Sequence, residues 1–102
     1  MIRACFRPAP DMPHLPSIFL EKGERKTIGR SPQADVVIDE PSLSRVHAAV
    51  SMTADGALSV EDLGSTNGVF VNSVRVDRQE LHHGDVVTIG ESQFRFLETM
   101  AH

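Results

Sequence analysis

Cysteine is nearly absent from this chain: Cys5 is the only one in 102 residues. One cysteine excludes an internal disulfide and supplies none of the paired spacings that hold zinc. It sits in an apolar run at residues 2–6, where a buried structural thiol is the simplest reading. Long apolar runs are missing as well. No stretch approaches the ~20 residues of a membrane-spanning helix. The start, Met1-Ile2-Arg3-Ala4-Cys5-Phe6, lacks the apolar core of a secretory leader. The expected setting is therefore intracellular, cytoplasmic or nuclear, with no membrane partner and a reduced thiol. An excess of basic charge is also lacking: ten Lys and Arg against fourteen Asp and Glu leave a net charge of −4. That excludes a general electrostatic footprint for nucleic acid. A local cluster of Arg25, Lys26, Arg30 and Arg45 is still expected to make a positive patch on an acidic body, because the local field decides what an anionic peptide meets.

No segment carries a sustained 3.6-residue apolar period, and there is no repeat, low-complexity tract or interdomain linker. What is present is a series of short apolar runs broken by Gly, Pro, Asn and Asp. Strands are predicted at residues 2–6, 17–21, 25–29, 36–38, 47–52, 58–60, 69–71 and 74–76, then through Val87 and Ile89, and last through Phe94 and Phe96. Asp55-Gly56 predicts a hairpin with a type I′ turn, which needs positive φ at both central residues. Asn72-Ser73 predicts a second tight turn. The Pro-rich residues 8–16 read as a connection, and a short helical turn is allowed at 77–81. About ten short strands in a chain of ordinary composition predict one domain, residues 1–102, with an all-β sandwich fold.

Three segments at strand ends carry the chemistry: Gly29-Arg30, Ser44-Arg45-Val46-His47, and Gly64-Ser65-Thr66-Asn67-Gly68. Taken alone, Arg30 is a solvated or salt-bridged surface residue, and the glycine-bounded segment is a turn bonded to itself. Together they hold two guanidinium groups, several hydroxyls, an amide and permissive backbone. A guanidinium fork matches a phosphate's oxygens in charge and plane. A Ser/His hydrolase would need an orienting carboxylate, an oxyanion hole and commonly a G-x-S-x-G elbow. The third segment has Thr66 at its centre and is not that elbow. No catalytic residue, metal or cofactor is expected. His82-His83 beside Asp85 invites a metal reading, but neighbouring strand residues point to opposite faces, so solvated histidines are expected. His14 and His102 carry no chemistry on this reading.

These segments resemble the forkhead-associated (FHA) domain. Its marks stand in order over residues 17–96: Thr27-Ile28-Gly29-Arg30, Leu43-Ser44-Arg45-Val46-His47-Ala48, Asp62-Leu63-Gly64-Ser65-Thr66-Asn67-Gly68-Val69-Phe70-Val71-Asn72, and Gly84-Asp85-Val86-Val87-Thr88-Ile89-Gly90. The resemblance implies an eleven-stranded, mainly antiparallel β-sandwich, with its core at about 17–97 and binding loops at one end. It implies a non-catalytic module whose partner is a phosphothreonine-containing protein or peptide, in kinase-linked signalling or regulated assembly. By the same resemblance Arg30 and Ser44 contact the phosphate, Arg45 and Thr66 assist, and Asn67 holds the peptide backbone. His47 braces the loops, and Gly29, Gly64, Ser65 and Gly68 shape them. Ser42 stands where some members carry an Arg, and Glu91-Ser92 lies in the neighbouring loop. A neutral or apolar residue is therefore expected three positions after the phosphothreonine. Such domains are often pieces of longer polypeptides, and some act as phosphate-independent interaction surfaces, which is the competing reading.

Overall fold

The structure, a computed structural model, describes the backbone of residues 2–100 and the side chains of residues 4–98. His102 lies outside the described residues. Eleven strands run in chain order: β1 (Ile2–Pro8), β2 (Ile18–Glu21), β3 (Arg25–Gly29), β4 (Val36–Val37), β5 (Ala48–Met52), β6 (Leu58–Asp62), β7 (Val69–Val71), β8 (Val74–Val76), β9 (Arg78–Leu81), β10 (Val86–Ile89) and β11 (Ser92–Met100). They form a six-stranded sheet, β2-β1-β11-β10-β7-β8, packed on a five-stranded sheet, β4-β3-β5-β6-β9. Every pairing is antiparallel except β3 with β4.

Alternation builds the core. Ala4 and Phe6 of β1, Ile18 and Leu20 of β2, Val87 and Ile89 of β10, and Phe94 and Phe96 of β11 all turn inward. They meet Ile28, Val50, Met52, Leu58 and Val60 from the other sheet. The Phe6 and Phe96 rings lie 5.4 Å apart at a 36° tilt, a contact worth about 0.5–1.5 kcal/mol beyond its buried area. Cys5 is buried and unpaired. The sandwich therefore begins with β1, upstream of the segment that carries the resemblance.

Two local expectations are corrected. Residues 77–81 hold no helical turn; β9 pairs there with β6, matching Arg78 to Glu61 and Leu81 to Leu58. Only Leu81 of this strand is buried, so there is no inward alternation to read, and its exposed charges suit a sheet edge. At Asp55-Gly56 only Gly56 has a left-handed φ, 91°. Gly56 N–H donates to the Thr53 carbonyl and Thr53 N–H to that of Ala57, so the loop is longer than a two-residue turn. The Thr53 hydroxyl donates to the Asp55 carboxylate within this loop. The turn with two positive φ values is Asn72-Ser73, at 50° and 72°.

The two ends of the sandwich are built differently. At one end Asn72 accepts from Val86 N–H through its Oδ1 (2.9 Å) and donates to Asp85, which also accepts from His82 N–H (2.8 Å). This clamp fixes the β7–β8 turn to the start of β10. At the other end, hereafter the rim, the strands release residues 29–31, 38–47, 63–68 and 90–91. Beside the rim, Thr27 and Asp35 bond reciprocally: Asp35 Oδ2 accepts from Thr27 N–H (2.9 Å) and its hydroxyl, and Asp35 N–H donates to the Thr27 hydroxyl.

The Thr27 backbone N–H first, and its hydroxyl second, hold the Asp35 carboxyl below its ordinary value of 3.8. A depressed folded-state value stabilises above the unfolded value and is lost as pH falls through the folded one. In an NMR titration Asp35 should titrate below the ordinary aspartate value. Thr27→Val should raise it part of the way back, since the backbone donor stays. An Asp35 that titrates at its ordinary value would contradict this pairing.

Candidate functional site

The rim is built outward from Gly29. A β-carbon placed there would lie 2.0 Å from the Arg45 carbonyl oxygen and 2.9 Å from the Val46 Cα. Only glycine allows the end of β3 and residues 45–46 to touch. That contact extends the β3–β5 pairing into the loops: His47 N–H donates to the Ile28 carbonyl (2.8 Å), Arg30 N–H to that of Ser44 (3.0 Å), and Ser31 N–H to that of Arg45 (3.0 Å). The Arg30 side chain leaves the sheet and donates through Nε to the Leu43 carbonyl (3.1 Å). One of five guanidinium N–H groups is thereby used to aim the others.

His47 joins this pair of segments to the third. It is fully buried. Its Nδ1 accepts from Ser44 N–H (3.0 Å) and its Nε2 faces the Gly68 carbonyl (2.8 Å). A backbone N–H can only donate and a carbonyl can only accept. The ring is therefore the neutral tautomer with its proton on Nε2, assigned by its partners. The His47 carbonyl in turn accepts from Leu63 N–H (3.0 Å).

The third segment is held from both sides. Ser65 N–H donates to Asp62, and the buried Ser65 hydroxyl accepts from Gly68 N–H (2.9 Å). Gly68, at φ 84°, supplies a backbone that other residues rarely adopt. Gly64 shares that conformation at φ 76°. Thr66 N–H donates to the Ser44 hydroxyl oxygen (3.2 Å), and Asn67 Nδ2 donates to the Ser42 carbonyl (2.7 Å). Arg30, Ser44, Thr66 and Asn67 thus belong to one connected rim. Arg45 joins it through its backbone, with an exposed side chain.

Ser42 was legible in the sequence only as a missing arginine. Here it fastens three loops. Its hydroxyl accepts from Glu91 N–H (3.0 Å), its carbonyl takes Asn67, and a β-carbon on Gly90 would lie 2.8 Å from that carbonyl. These partners are 25 and 49 residues away, so no local pattern announces them.

The expected four-residue positive patch divides. Arg25 opens β3 and Arg30 follows its end, so roughly 17 Å separate them at ~3.3 Å per residue. Lys26 turns toward β2 and donates to the Phe19 carbonyl. The rim keeps Arg30 and Arg45, and neither guanidinium has a carboxylate partner among the described residues. His82 and His83 are both exposed; His83 Nδ1 accepts from Glu98 N–H (3.0 Å), near the opposite end. His14 Nε2 lies 2.7 Å from Glu40.

Comparison with known proteins agrees with this geometry. The FHA domain profile matches residues 26–90, well over half of the chain. An ABC transporter ATP-binding/permease protein of Mycobacterium tuberculosis is 46% identical over 71 residues, covering 70% of this chain and 8% of that protein. An oxoglutarate dehydrogenase inhibitor of Corynebacterium diphtheriae is 36% identical over 86 residues, covering 84% of this chain and 59% of the inhibitor. The chain thus spans less than two thirds of the length of each of these relatives. Among solved structures, the FHA domain of a Chlamydia trachomatis protein superposes with a TM-score of 0.86 at 30% identity, over 97% of this chain and 99% of that one. A structure from a study of phosphothreonine-dependent FHA domain interactions superposes at 0.82 with 25% identity, over 98% of each chain.

Because Gly29 meets backbone rather than a movable side chain, Gly29→Ala should force the rim apart. A loss of about 1–3 kcal/mol is expected in denaturant unfolding, the usual cost of overpacking. The amide signals of residues 44–47 should shift with it. An alanine variant of unchanged stability would contradict the close approach.

Proposed function

The chain belongs to the FHA domain family, and on that premise we propose that it is a single non-catalytic module that binds phosphothreonine in a partner protein, inside the cell and downstream of a kinase. One observation supports this most. Arg30 and Arg45, both without a counter-ion among the described residues, stand on a rim already bonded into shape, beside two hydroxyls that can still donate. A phosphothreonine brings a charge of about −1.5 to −2 and three acceptor oxygens.

On this reading Arg30 and Ser44 take the phosphate. The Ser44 oxygen accepts from Thr66 N–H, which leaves its own proton to donate. Arg45 and Thr66 complete the cradle. Asn67 keeps its Oδ1 for a peptide N–H while Nδ2 stays on Ser42. His47, Gly29, Gly64, Ser65 and Gly68 hold the shape. Catalysis is disfavoured by the same bonds. Both His47 nitrogens are occupied by backbone groups, so the ring is no base for the Ser44 hydroxyl. Glu91 beside Ser42 supports a neutral or apolar residue three positions after the phosphothreonine.

Calorimetric titration with a degenerate phosphothreonine peptide library, and with its unphosphorylated and Glu-substituted counterparts, tests the proposal. Only the phosphorylated peptides should bind, because Glu offers one charge and two coplanar oxygens. Arg30→Ala should cost about 2–5 kcal/mol, the range for truncating one side of a hydrogen-bonded charge pair. That is roughly thirtyfold to over a thousandfold in affinity. Equal binding of threonine and phosphothreonine peptides would overturn the proposal in favour of a phosphate-independent interaction surface.

A further inference from the structure

The outer face of the six-stranded sheet carries a second cationic feature, unrelated to the rim. Arg7 of β1 lies directly opposite Arg95 of β11, and Arg95 lies opposite Val86 of β10. Paired antiparallel residues share a face, so the two guanidinium stems are neighbours. Like charges in such a position are destabilising. Both side chains are exposed, and neither has a hydrogen bond or ion pair among the described residues. A protein with fourteen acidic residues and a net charge of −4 thus leaves an adjacent arginine pair without a carboxylate partner among the described residues.

The pair borders a groove of about 420 Å³, lined with Pro8, Pro10, Val86 and Leu97 as well as the arginines. This is ample for one large apolar side chain. The residues 8–10 that overhang it are anchored by Ala9 N–H to the Gln93 carbonyl (2.9 Å). One pleat further along β1, about 7 Å away, an apolar row crosses three strands in register: Phe19, Cys5 and Leu97. Phe19 is 51% exposed there. The surface therefore alternates a cationic row with an apolar row and extends beyond the span of a small molecule.

We propose that this face docks an extended acidic segment of a partner protein, which sets an apolar side chain in the groove and carboxylates on Arg7 and Arg95. Charge complementarity selects the occupant: two guanidinium groups without a carboxylate partner among the described residues, beside an apolar slot, match an extended segment that alternates Asp or Glu with Leu or Phe along one face. Recognition here needs no phosphate and does not rest on the reading of the rim. Arg95 stands three residues into β11 from Ser92, so the groove opens about 10 Å below the rim. A partner held at the rim can engage both surfaces and gain avidity.

The probe is the unphosphorylated peptide acetyl-Glu-Asp-Leu-Phe-Glu-Asp-Leu-amide, titrated into the isotope-labelled domain by NMR, with a control in which Lys replaces every acid. Saturable shifts confined to Arg7, Val86, Arg95 and Leu97 are expected, weakened about tenfold or more in the Arg7→Glu/Arg95→Glu variant and by added salt. If the Glu pair unfolds the domain, Arg7→Gln/Arg95→Gln gives the same weakening on an intact spectrum. Equal shifts with the Lys peptide, undiminished binding in the variants, or shifts at the rim instead would overturn the proposal. So would dilution-dependent shifts of the free domain on this face, which would assign it to a second copy of the chain.

Discussion

One buried imidazole organises the functional end of this molecule. His47 accepts from Ser44 on one side and donates to Gly68 on the other, so its ring bridges the loop before β5 and the loop before β7. Leaving either buried partner unsatisfied costs about 1–3 kcal/mol. The ring's tautomer and orientation are therefore dictated, not merely permitted. Around it the other bonds follow: Gly29 lets β3 touch residues 45–46, Ser44 receives Thr66, and Ser42 gathers Asn67 and Glu91. A phosphate ligand arriving at this rim meets donors already placed, which lowers the ordering cost of binding.

The two ends of the sandwich divide labour. Asn72 and Asp85 lie in the segments that carry the resemblance, as Asn67 and Ser44 do, yet they clamp the far end and leave the rim alone. Their role is to fix the register of β7 and β10, whose opposite ends deliver Gly68 and Gly90 to the rim. The outer face of the six-stranded sheet adds a third region, where Arg7 and Arg95 stand opposite each other without a carboxylate partner among the described residues.

Much of this was legible from residues alone, for physical reasons. Strands with inward alternation, such as β1, β5 and β11, announce themselves through Phe6, Val50, Met52, Phe94 and Phe96. β9 does not, because one buried leucine among four residues carries no period. Asp55-Gly56 favours a two-residue turn as a dipeptide, yet the loop is longer, and Thr53 bonds within it to Asp55 and Ala57. At the rim, Arg30, Ser44 and Asn67 stand out by residue type and spacing. Ser42 does not: its importance arises from contacts across 25 and 49 residues, which only the folded chain creates. The four-residue basic patch failed for a related reason, since five residues along a strand carry Arg25 to the wrong end.

The claim that His47 assembles the phosphate rim in advance is tested most directly by long-range ¹H–¹⁵N NMR of its ring nitrogens, in the free domain and with a phosphothreonine peptide bound. An Nδ1 without a proton and a protonated Nε2 in both states is the expected result. A mixture of tautomers in the free domain, or a change of tautomer on binding, would contradict it and mean that the ligand builds the rim.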